Sequence, residues 1–289
     1  MSDLSNAAGT AGIIKKYGFS FQKRFGQNFL IDSHVLDKII DAANITKNDG
    51  VIEIGPGIGT MTQLLCERAA KVVAIEIDRQ LIPILEETLS GYDNVRTVNA
   101  DVMKIDLREL IAEEFFGMTV KVVANLPYYI TTPIIMELLE KRLPVDNITI
   151  MVQKEVAMRM QAGPGTKDYG ALSLAVGYYA KTYIAANVPP NCFMPRPKVG
   201  SCVIRLTVRK EPPVRVSDEK LMFALIRAAF NQRRKTLVNA VGNSQLNISK
   251  ERMGEALVAA GLSPTVRGEQ LDLDLFALLA DILTRDRIT

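Results

Sequence analysis

The sequence has little of the chemistry that metal-dependent, triad-based or disulfide-based functions require. Its 289 residues include one histidine, His34, so a His-rich metal site and a catalytic triad that needs a second imidazole are excluded, and we expect no metal ion. The three cysteines, Cys66, Cys192 and Cys202, form no CxxC pair and cannot all be bridged. A disulfide framework of the secreted kind is therefore not expected, and we predict a reducing, cytoplasmic location.

Long apolar runs are also lacking. The nearest, residues 170–180, is short and broken by glycine, whereas a membrane span needs about 18 uncharged apolar residues. Residues 1–12 are small and polar and lack the basic-then-apolar order of a signal peptide. We therefore expect no membrane partner and interpret residues 1–20 as a flexible basic leader.

The composition itself, 48% hydrophobic and 23% charged, is that of a folded protein, and the length predicts about two domains. Charge is unevenly distributed: residues 51–120 contain twelve acids and six bases, whereas residues 205–250 contain ten bases and three acids. Segment 15–25 is also basic, with interleaved aromatic residues and no acid. Both basic regions are suited to nucleic-acid phosphates and bases, although a solvated basic face beside core aromatics would give the same pattern.

Short β-rich runs alternate with helical patterns over the first half of the chain. Strands are predicted at 51–54, 71–76, 95–98, 120–124 and 147–152, and helices at 34–44, 60–68, 79–89, 107–115 and 131–140. This alternation is typical of βαβ units, in which helices cover a parallel sheet.

The last third of the chain has a different pattern. After an apolar segment at 169–185 and a β-like run at 199–208, the Glu211-Pro212-Pro213 step indicates a boundary. Beyond it only helical patterns occur, at 218–242, 249–260 and 270–283. We therefore predict a leader at 1–20, an α/β domain with a Rossmann-like parallel sheet at 21–210 and a small all-helical domain at 211–289.

A glycine-rich turn follows the first predicted strand. Gly55, Gly57 and Gly59 give a GxGxG spacing before a helix, where the absence of Cβ atoms lets a ligand approach the backbone. The dinucleotide fingerprint would place its third glycine at position 60, where Thr60 stands, which argues against a nicotinamide cofactor. A purely structural tight turn remains the alternative.

Acidic residues end the next two strands. Glu76 follows the glycine turn by about twenty residues, as expected for a carboxylate that accepts both hydroxyls of a ribose. Asp101, followed by Val102, is placed to accept from an exocyclic adenine amine, although either acid could instead cap a helix. No lysine of the GKT or GKS kind grips phosphates near the loop, so the ligand is predicted to be a nucleoside without phosphates, and S-adenosylmethionine fits.

The catalytic candidate follows the fourth strand. Asn125, Leu126, Pro127 and Tyr128 place an amide, a constrained backbone and an aromatic ring at one sheet edge. The Asn125 side-chain oxygen and the carbonyl of Leu126 or Pro127 could accept both hydrogens of an adenine amino group and so direct its lone pair at a methyl donor. Tyr128 could stack on the extruded base, and Phe193 could cover its other face. The alternatives are a strand-ending turn and a core phenylalanine.

Five segments in this order resemble the small-subunit ribosomal RNA adenine N6-dimethyltransferases. They are 24–30 (RFGQNFL), 53–60 (EIGPGIGT), 125–128 (NLPY), 193–201 (FMPRPKVGS) and 230–237 (FNQRRKTL). The resemblance covers nearly the whole chain from Lys15 and implies a class I S-adenosylmethionine-dependent methyltransferase domain followed by the helical domain. It also implies that Asn28, Leu30 and Asn125 contact the cofactor, which leaves as S-adenosylhomocysteine.

The resemblance further implies the substrate: two neighbouring adenines in a 3′-terminal hairpin loop of small-subunit rRNA, methylated twice each within an immature 30S-type particle. A monomer is expected. The residues expected to contact RNA are Lys23, Arg24, Arg196, Lys198, Arg233, Arg234 and Lys235.

Three alternatives stay open. One is a non-catalytic assembly or transcription factor that uses the same fold to bind nucleic acid, which the intact glycine turn and Asn-Leu-Pro-Tyr segment disfavour. The second is a large-subunit rRNA adenine methyltransferase of the erythromycin-resistance type, from which the segment 230–237 and the helical tail differ. A nicotinamide oxidoreductase is disfavoured by the loop spacing.

Overall fold

A computed structural model describes residues 4–22 and 26–285, which divide into two compact units. The sheet unit comprises residues up to 157 together with 181–208, and the helical unit comprises 158–180 together with the residues from 209 onward. The structure thus differs from the predicted division at 210, because segment 158–180 belongs to the helical unit. Its residues Tyr169, Leu174 and Tyr178 are buried in the same hydrophobic cluster as the helices beyond 209.

The sheet unit contains a mainly parallel sheet. Its strands lie in the order β4-β3-β2-β5-β6-β9-β7, with parallel neighbours from β4 to β6 and β9 antiparallel to β6. A two-stranded sheet pairs β1 with β8. The strands are β1 (Phe29–Leu30), β2 (Asp49–Ile54), β3 (Lys71–Glu76), β4 (Val95–Asn99), β5 (Thr119–Asn125), β6 (Asn147–Gln153), β7 (Ala180–Val188), β8 (Phe193–Met194) and β9 (Ser201–Val208).

Helices precede the first strand and connect those that follow. They are α1 (Ala7–Lys16), α2 (Ser33–Ala43), α3 (Thr60–Arg68), α4 (Ile82–Thr88), α5 (Leu107–Glu114), α6 (Thr131–Glu140) and α7 (Lys154–Gln161). The predicted alternation of strands and helices is confirmed, with bounds that shift by a few residues. It is strong in the sequence because central strands such as β3 are buried on both faces and consist of continuous apolar runs.

The strand order creates a crevice at one edge of the sheet. From β2 the chain continues outward to β3 and β4 and then returns to β5 on the opposite side of β2. The carboxyl ends of β2 and β5 therefore flank the point at which the strand order reverses. In open α/β sheets this is where ligands bind.

The described part of the predicted flexible leader is ordered and packed. α1 is capped by the Asn6 side chain, which accepts from the Gly9 amide, and Lys16 pairs with Glu87 at 2.5 Å. In segment 15–25, the rings of Phe19 and Phe21 pack against the protein and are not displayed for base stacking. Phe19 and Phe21 pack on Phe29, in a cluster with Leu4, Ile13, Ile58, Leu81 and Ile84.

The helical unit contains α8 (Ala171–Tyr179), α9 (Glu219–Asn231), α10 (Leu237–Gly242), α11 (Lys250–Ala259) and α12 (Leu273–Arg285). The single helical pattern predicted at 218–242 is interrupted, because the chain turns after Asn231 and Thr236 caps α10 by accepting from the Asn239 amide. The apolar segment 169–185 consists of α8 and the start of β7. Within residues 4–22 and 26–285, no helix is long and apolar enough to cross a membrane.

Candidate active site

A cavity opens at the carboxyl ends of β2, β3 and β5, where the topology places the crevice. Its lining brings together most of the predicted site residues. From the predicted cofactor set it includes Asn28, Leu30, Gly55, Gly57, Glu76, Asp101, Val102 and Asn125. From the predicted catalytic set it also includes Leu126, Pro127, Tyr128 and Phe193.

The glycine turn between β2 and α3 needs glycine for two different reasons. Gly55, Gly57 and Gly59 all have positive φ, at 71°, 62° and 91°, which side chains rarely adopt. A Cβ on Gly57 would lie 3.0 Å from the Phe29 ring, so this position is closed by the cavity wall. Gly59 was predicted to let a ligand approach the backbone. A Cβ there would instead lie 2.9 Å from the Thr88 hydroxyl, so this glycine serves the packing of α3 on α4.

The Glu76 carboxylate is held in a fixed orientation at the end of β3. The amides of Gly57 and Asp78 donate to its two oxygens at 3.2 and 2.8 Å. The side chain is 4% exposed, and burial raises its pKa to about 7, while the two amide donors oppose that rise. A ligand that donates two hydroxyl hydrogens to this carboxylate would favour its charged form.

Glu53 is a site residue that the sequence analysis missed. It lies on β2, lines the cavity and is fully buried, and neither carboxyl oxygen has a hydrogen-bond partner among the described residues. Burial raises its pKa to about 8, the nearby Thr62 hydroxyl opposes that rise, and the neighbouring Glu76 adds to it. An acid inside the apolar run Val51–Ile54 was the available signal, because such a position is costly unless a ligand or ion completes it.

Asp101 follows β4 and faces the same cavity. One of its oxygens, Oδ1, accepts from the Met103 amide at 3.0 Å, and Oδ2 lies 3.7 Å from the Lys104 ammonium. The carboxylate is therefore fixed by its own turn while it remains partly accessible from the cavity. The helix-cap alternative is not realised, because residues 102–105 form a turn and α5 is capped by Asp106. The predicted acceptance from an adenine amine would use lone pairs that the turn leaves free.

Residues 26–30, called the wall segment below, form one side of the cavity. Gln27 joins this segment to the turn after β3, since its Nε2 donates to Asp78 Oδ2 at 2.8 Å. The Asn28 side chain folds back onto the Gly26 carbonyl at 3.0 Å, and Phe29 packs against Gly57. Asn28 and Leu30 were predicted as cofactor contacts from the resemblance alone, and both line the cavity.

The amide of Asn125 is oriented by the wall segment. Its Nδ2 donates to the Asn28 carbonyl at 3.1 Å, which turns the opposite oxygen, Oδ1, away from that segment. Of the two backbone acceptors predicted beside it, the Pro127 carbonyl already accepts from the Ile130 amide at 3.1 Å and the Thr131 hydroxyl at 3.0 Å. The Leu126 carbonyl is therefore the better second acceptor.

Two aromatic rings line the same cavity from different elements. Tyr128 donates to or accepts from the Ser201 hydroxyl at 2.8 Å, and burial raises the pKa of its phenol, so the ring is anchored to β9 and uncharged. Phe193 is buried and lies opposite Leu30 in the β1–β8 pairing. The cavity thus has an amide, carbonyl and ring arrangement able to hold a planar amino-substituted base.

The predicted RNA contacts are distributed over both units. In the sheet unit Arg196 and Lys198 are exposed, and in the helical unit Arg234 and Lys235 are exposed. Arg233 is used differently: it donates to Glu269 at 2.8 Å and to the carbonyls of Thr166 and Lys167, so it fixes the turn that carries its neighbours. The remaining two predictions, Lys23 and Arg24, fall outside the described residues.

Comparison with solved structures confirms the predicted Rossmann-like methyltransferase fold with its helical part. A dimethyladenosine transferase from Plasmodium falciparum is 28% identical, with a TM-score of 0.74 over 87% of this chain and 95% of that chain. The 23S rRNA methyltransferase ErmE is 25% identical, with a TM-score of 0.66 over 89% of this chain and 99% of that chain.

Closely similar sequences carry one name. The ribosomal RNA small subunit methyltransferase A of Lachnoclostridium phytofermentans is 62% identical over 98% of both chains. That of Alkaliphilus metalliredigens is 56% identical over 96% of this chain and 97% of its own. The family model described as ribosomal RNA adenine dimethylase matches residues 18–267. The chain therefore belongs to the ribosomal RNA adenine dimethylase family.

Proposed function

We propose that this protein transfers methyl groups from S-adenosylmethionine to the N6 amino groups of adenines in small-subunit rRNA. Family membership and the names of its relatives support the reaction and the substrate. The observation that carries the chemistry is the fixed Asn125 amide beside the Leu126 carbonyl, in a cavity that Glu53 and Glu76 also line.

The residues of the cavity fit S-adenosylmethionine. The oriented Glu76 carboxylate suits the two hydroxyls of a ribose, and Asp101 suits an adenine amine. The unpartnered oxygens of Glu53 suit the ammonium group of an amino acid, which would satisfy a buried acid that otherwise has no partner. When bound, this cofactor supplies a methyl group on a positively charged sulfur.

Asn125 and Leu126 would prepare the target nitrogen. The lone pair of an adenine amine is delocalised into the ring, so the amine is a weak nucleophile. Two oxygen acceptors, Asn125 Oδ1 and the Leu126 carbonyl, would hold both N–H hydrogens and direct the lone pair into the cavity. Because these acceptors are held in place before the substrate arrives, little reorganisation is needed at the moment of reaction.

Tyr128 and Phe193 would position the base itself. An enzyme that acts on a nucleobase must take it out of its stack, and an aromatic face replaces part of the lost stacking energy. The Tyr128 ring is anchored by Ser201, and Phe193 is buried in a two-stranded sheet, so both surfaces are rigid. The exposed cations Arg196, Lys198, Arg234 and Lys235 would contact rRNA phosphates, which position the substrate without reading its sequence.

The finer setting forms part of the same proposal. The substrate is two neighbouring adenines of the 3′-terminal hairpin loop, within an immature 30S-type particle in the cytoplasm, and the protein acts as a monomer. The similarity in fold to the 23S rRNA methyltransferase ErmE makes a large-subunit adenine the second candidate.

One experiment separates these substrates. Unmethylated small-subunit particles and, separately, large-subunit rRNA are incubated with the protein and S-adenosylmethionine, and nuclease fragments are weighed by mass spectrometry. We expect a gain of four methyl groups on one 3′-terminal small-subunit fragment. Methylation confined to the large-subunit rRNA would support the second candidate. Methylation of neither RNA would contradict the proposed methyltransferase activity.

A further inference from the structure

Two consecutive tyrosines at the cavity mouth are turned to different surroundings. Tyr128 is half-buried and hydrogen-bonded to Ser201, whereas Tyr129 is 62% exposed. Both residues line the same cavity. An aromatic ring this exposed contributes little to a hydrophobic core, so its location at the rim of the site calls for an explanation other than packing.

The backbone that carries Tyr129 is rigid. The residues Pro127 to Ile130 form a turn closed by the Ile130 amide on the Pro127 carbonyl at 3.1 Å, and the Thr131 hydroxyl donates to the same carbonyl at 3.0 Å. On one side the ring lies against Gly26, where an added Cβ would be 3.5 Å from two ring carbons. The ring is therefore held in place while much of its surface stays open to solvent.

We propose that Tyr129 is a positioning residue that stacks on the nucleotide adjoining the methylated adenine. This inference rests on the proposed function. When one base is withdrawn from a single-stranded loop into the cavity, its neighbour loses a stacking partner at the cavity mouth. An exposed aromatic ring next in sequence to the ring that receives the target base offers that neighbour a replacement.

This role accounts for the opposite exposure of the two rings. Stacking on an aromatic face tolerates any base, because every base has a π-face. Tyr129 would thus fix the register of the strand in the site without reading sequence, and it would act on substrate binding more than on the chemical step. Its contribution should appear in the KM for RNA, with the cofactor affinity unchanged.

The test uses the full chain with three substitutions. Tyr129→Ala should raise the KM for small-subunit particles by about 5- to 100-fold, the range for losing one stacked base, with kcat and the Kd for S-adenosylmethionine within about two-fold of wild type. Tyr129→Phe keeps the ring and should restore the wild-type KM. The matched control is Phe116→Ala, since Phe116 is 91% exposed and lies just before β5, at the amino end of the strands.

A substrate change identifies the partner of the ring. Particles are reconstituted with rRNA whose 3′ hairpin is ligated from a synthetic fragment, carrying an abasic nucleotide on the 5′ or the 3′ side of one target adenine. If Tyr129 stacks there, one abasic position raises the wild-type KM as much as Tyr129→Ala does, and the two changes together add no further loss.

The outcomes distinguish this inference from the proposed function. Two results would overturn the stacking role and leave the reaction intact, provided that the wild type is active. In the first, Tyr129→Ala leaves the KM unchanged. In the second, the losses from Tyr129→Ala and from each abasic position are additive. A wild type that methylates none of the particles overturns the proposed function, and the stacking role with it.

Discussion

Asn125 can accept from a substrate amine only if its oxygen, and not its NH₂ group, faces the target. That choice is made by the Asn28 carbonyl, which accepts the Asn125 Nδ2 hydrogen. The orientation of the proposed acceptor therefore depends on a residue about one hundred positions earlier in the chain. At this scale the site consists of side chains whose orientation is set by backbone groups, as at Glu76.

Substitution of Asn125 tests the acceptor role. Asn125→Ala should lower kcat by at least about 100-fold, as expected when one preorganised polar group that acts on the reacting atoms is removed. The affinity for small-subunit particles should change little, because the exposed cations that would contact phosphates are unchanged. Turnover near the wild-type rate in this variant would show that Asn125 does not hold the amine.

The raised pKa of Glu53 predicts that cofactor binding is coupled to the release of a proton. With a pKa of about 8, the free site is mostly protonated at pH 7, and an arriving ammonium group favours the carboxylate. Cofactor binding near pH 7 should therefore release a proton, visible as a dependence of the calorimetric enthalpy on the ionisation enthalpy of the buffer. Glu53→Gln should reduce that dependence to the share that Glu76, with its pKa of about 7, contributes when a ribose binds, whereas Glu86→Gln, an exposed control on α4, should retain it in full.

The same carboxyl group makes stability depend on pH in a defined direction. The pKa of Glu53 is 4.5 in the unfolded chain and about 8 in the folded protein. Its contribution to the free energy of unfolding is therefore complete below about pH 4.5 and is lost as the pH rises through 8. Without cofactor, wild type should lose free energy of unfolding between pH 5 and pH 8 relative to Glu53→Gln. If denaturant titrations gave both proteins the same pH dependence of the free energy of unfolding, the conclusion that Glu53 is buried without a partner would be contradicted.

At the scale of elements, the glycine turn and the wall segment form one contact. Gly57 has a φ of 62°, and the Phe29 ring occupies the space where its side chain would be. The turn between β2 and α3 and the segment that orients Asn125 therefore depend on the same small residue. A change in the turn should affect both the proposed cofactor site and the orientation of the Asn125 amide.

Two glycine substitutions separate this contact from a general effect of added bulk. Gly57→Ala should lower the free energy of unfolding by about 1–2 kcal/mol, from the positive φ alone, and weaken cofactor affinity. Gly254→Ala lies within α11, where an added Cβ has no neighbour within 4 Å, and should stabilise by up to about 1 kcal/mol. Equal denaturation midpoints and cofactor affinities for both variants would contradict the close approach of Phe29.

Elements with strong local patterns were predictable, and contacts between distant segments were not. Buried parallel strands such as β3 reveal themselves by continuous apolar runs, and Glu76 by its place at a strand end. α1 was missed because small residues dominate its sequence and its order depends on packing against Ile58 and Ile84. The Asn28–Asn125 hydrogen bond and the unpartnered state of Glu53 arise only from tertiary structure.

At the scale of the whole molecule, the acidic and the basic regions of the chain have different roles. The acidic region 51–120 supplies the carboxylates that line the cavity, Glu53, Glu76 and Asp101, and the basic region 205–250 supplies exposed cations of the helical unit. Arg233 is tied to Glu269, so it orders the turn that presents Arg234 and Lys235. Binding of RNA phosphates should therefore depend on these two exposed cations and on salt.

A salt titration tests that division. Arg234→Ala with Lys235→Ala should weaken rRNA binding and reduce the slope of log K against log salt by up to about two, one for each lost phosphate contact, without changing cofactor affinity. The matched control replaces Lys47 and Arg68, two exposed cations outside the basic regions, and should leave the slope unchanged. An equal change in both pairs would mean that only net charge matters.

The most direct measurement is a crystal structure of this protein with S-adenosylhomocysteine. The account predicts the ribose hydroxyls on Glu76, the adenine amine on Asp101 and the amino group on Glu53, with Asn125 Oδ1 and the Leu126 carbonyl facing the sulfur across an open space. A ligand bound elsewhere, or a cavity closed by protein side chains in that crystal, would contradict the assignment of this cavity as the methyl-transfer site.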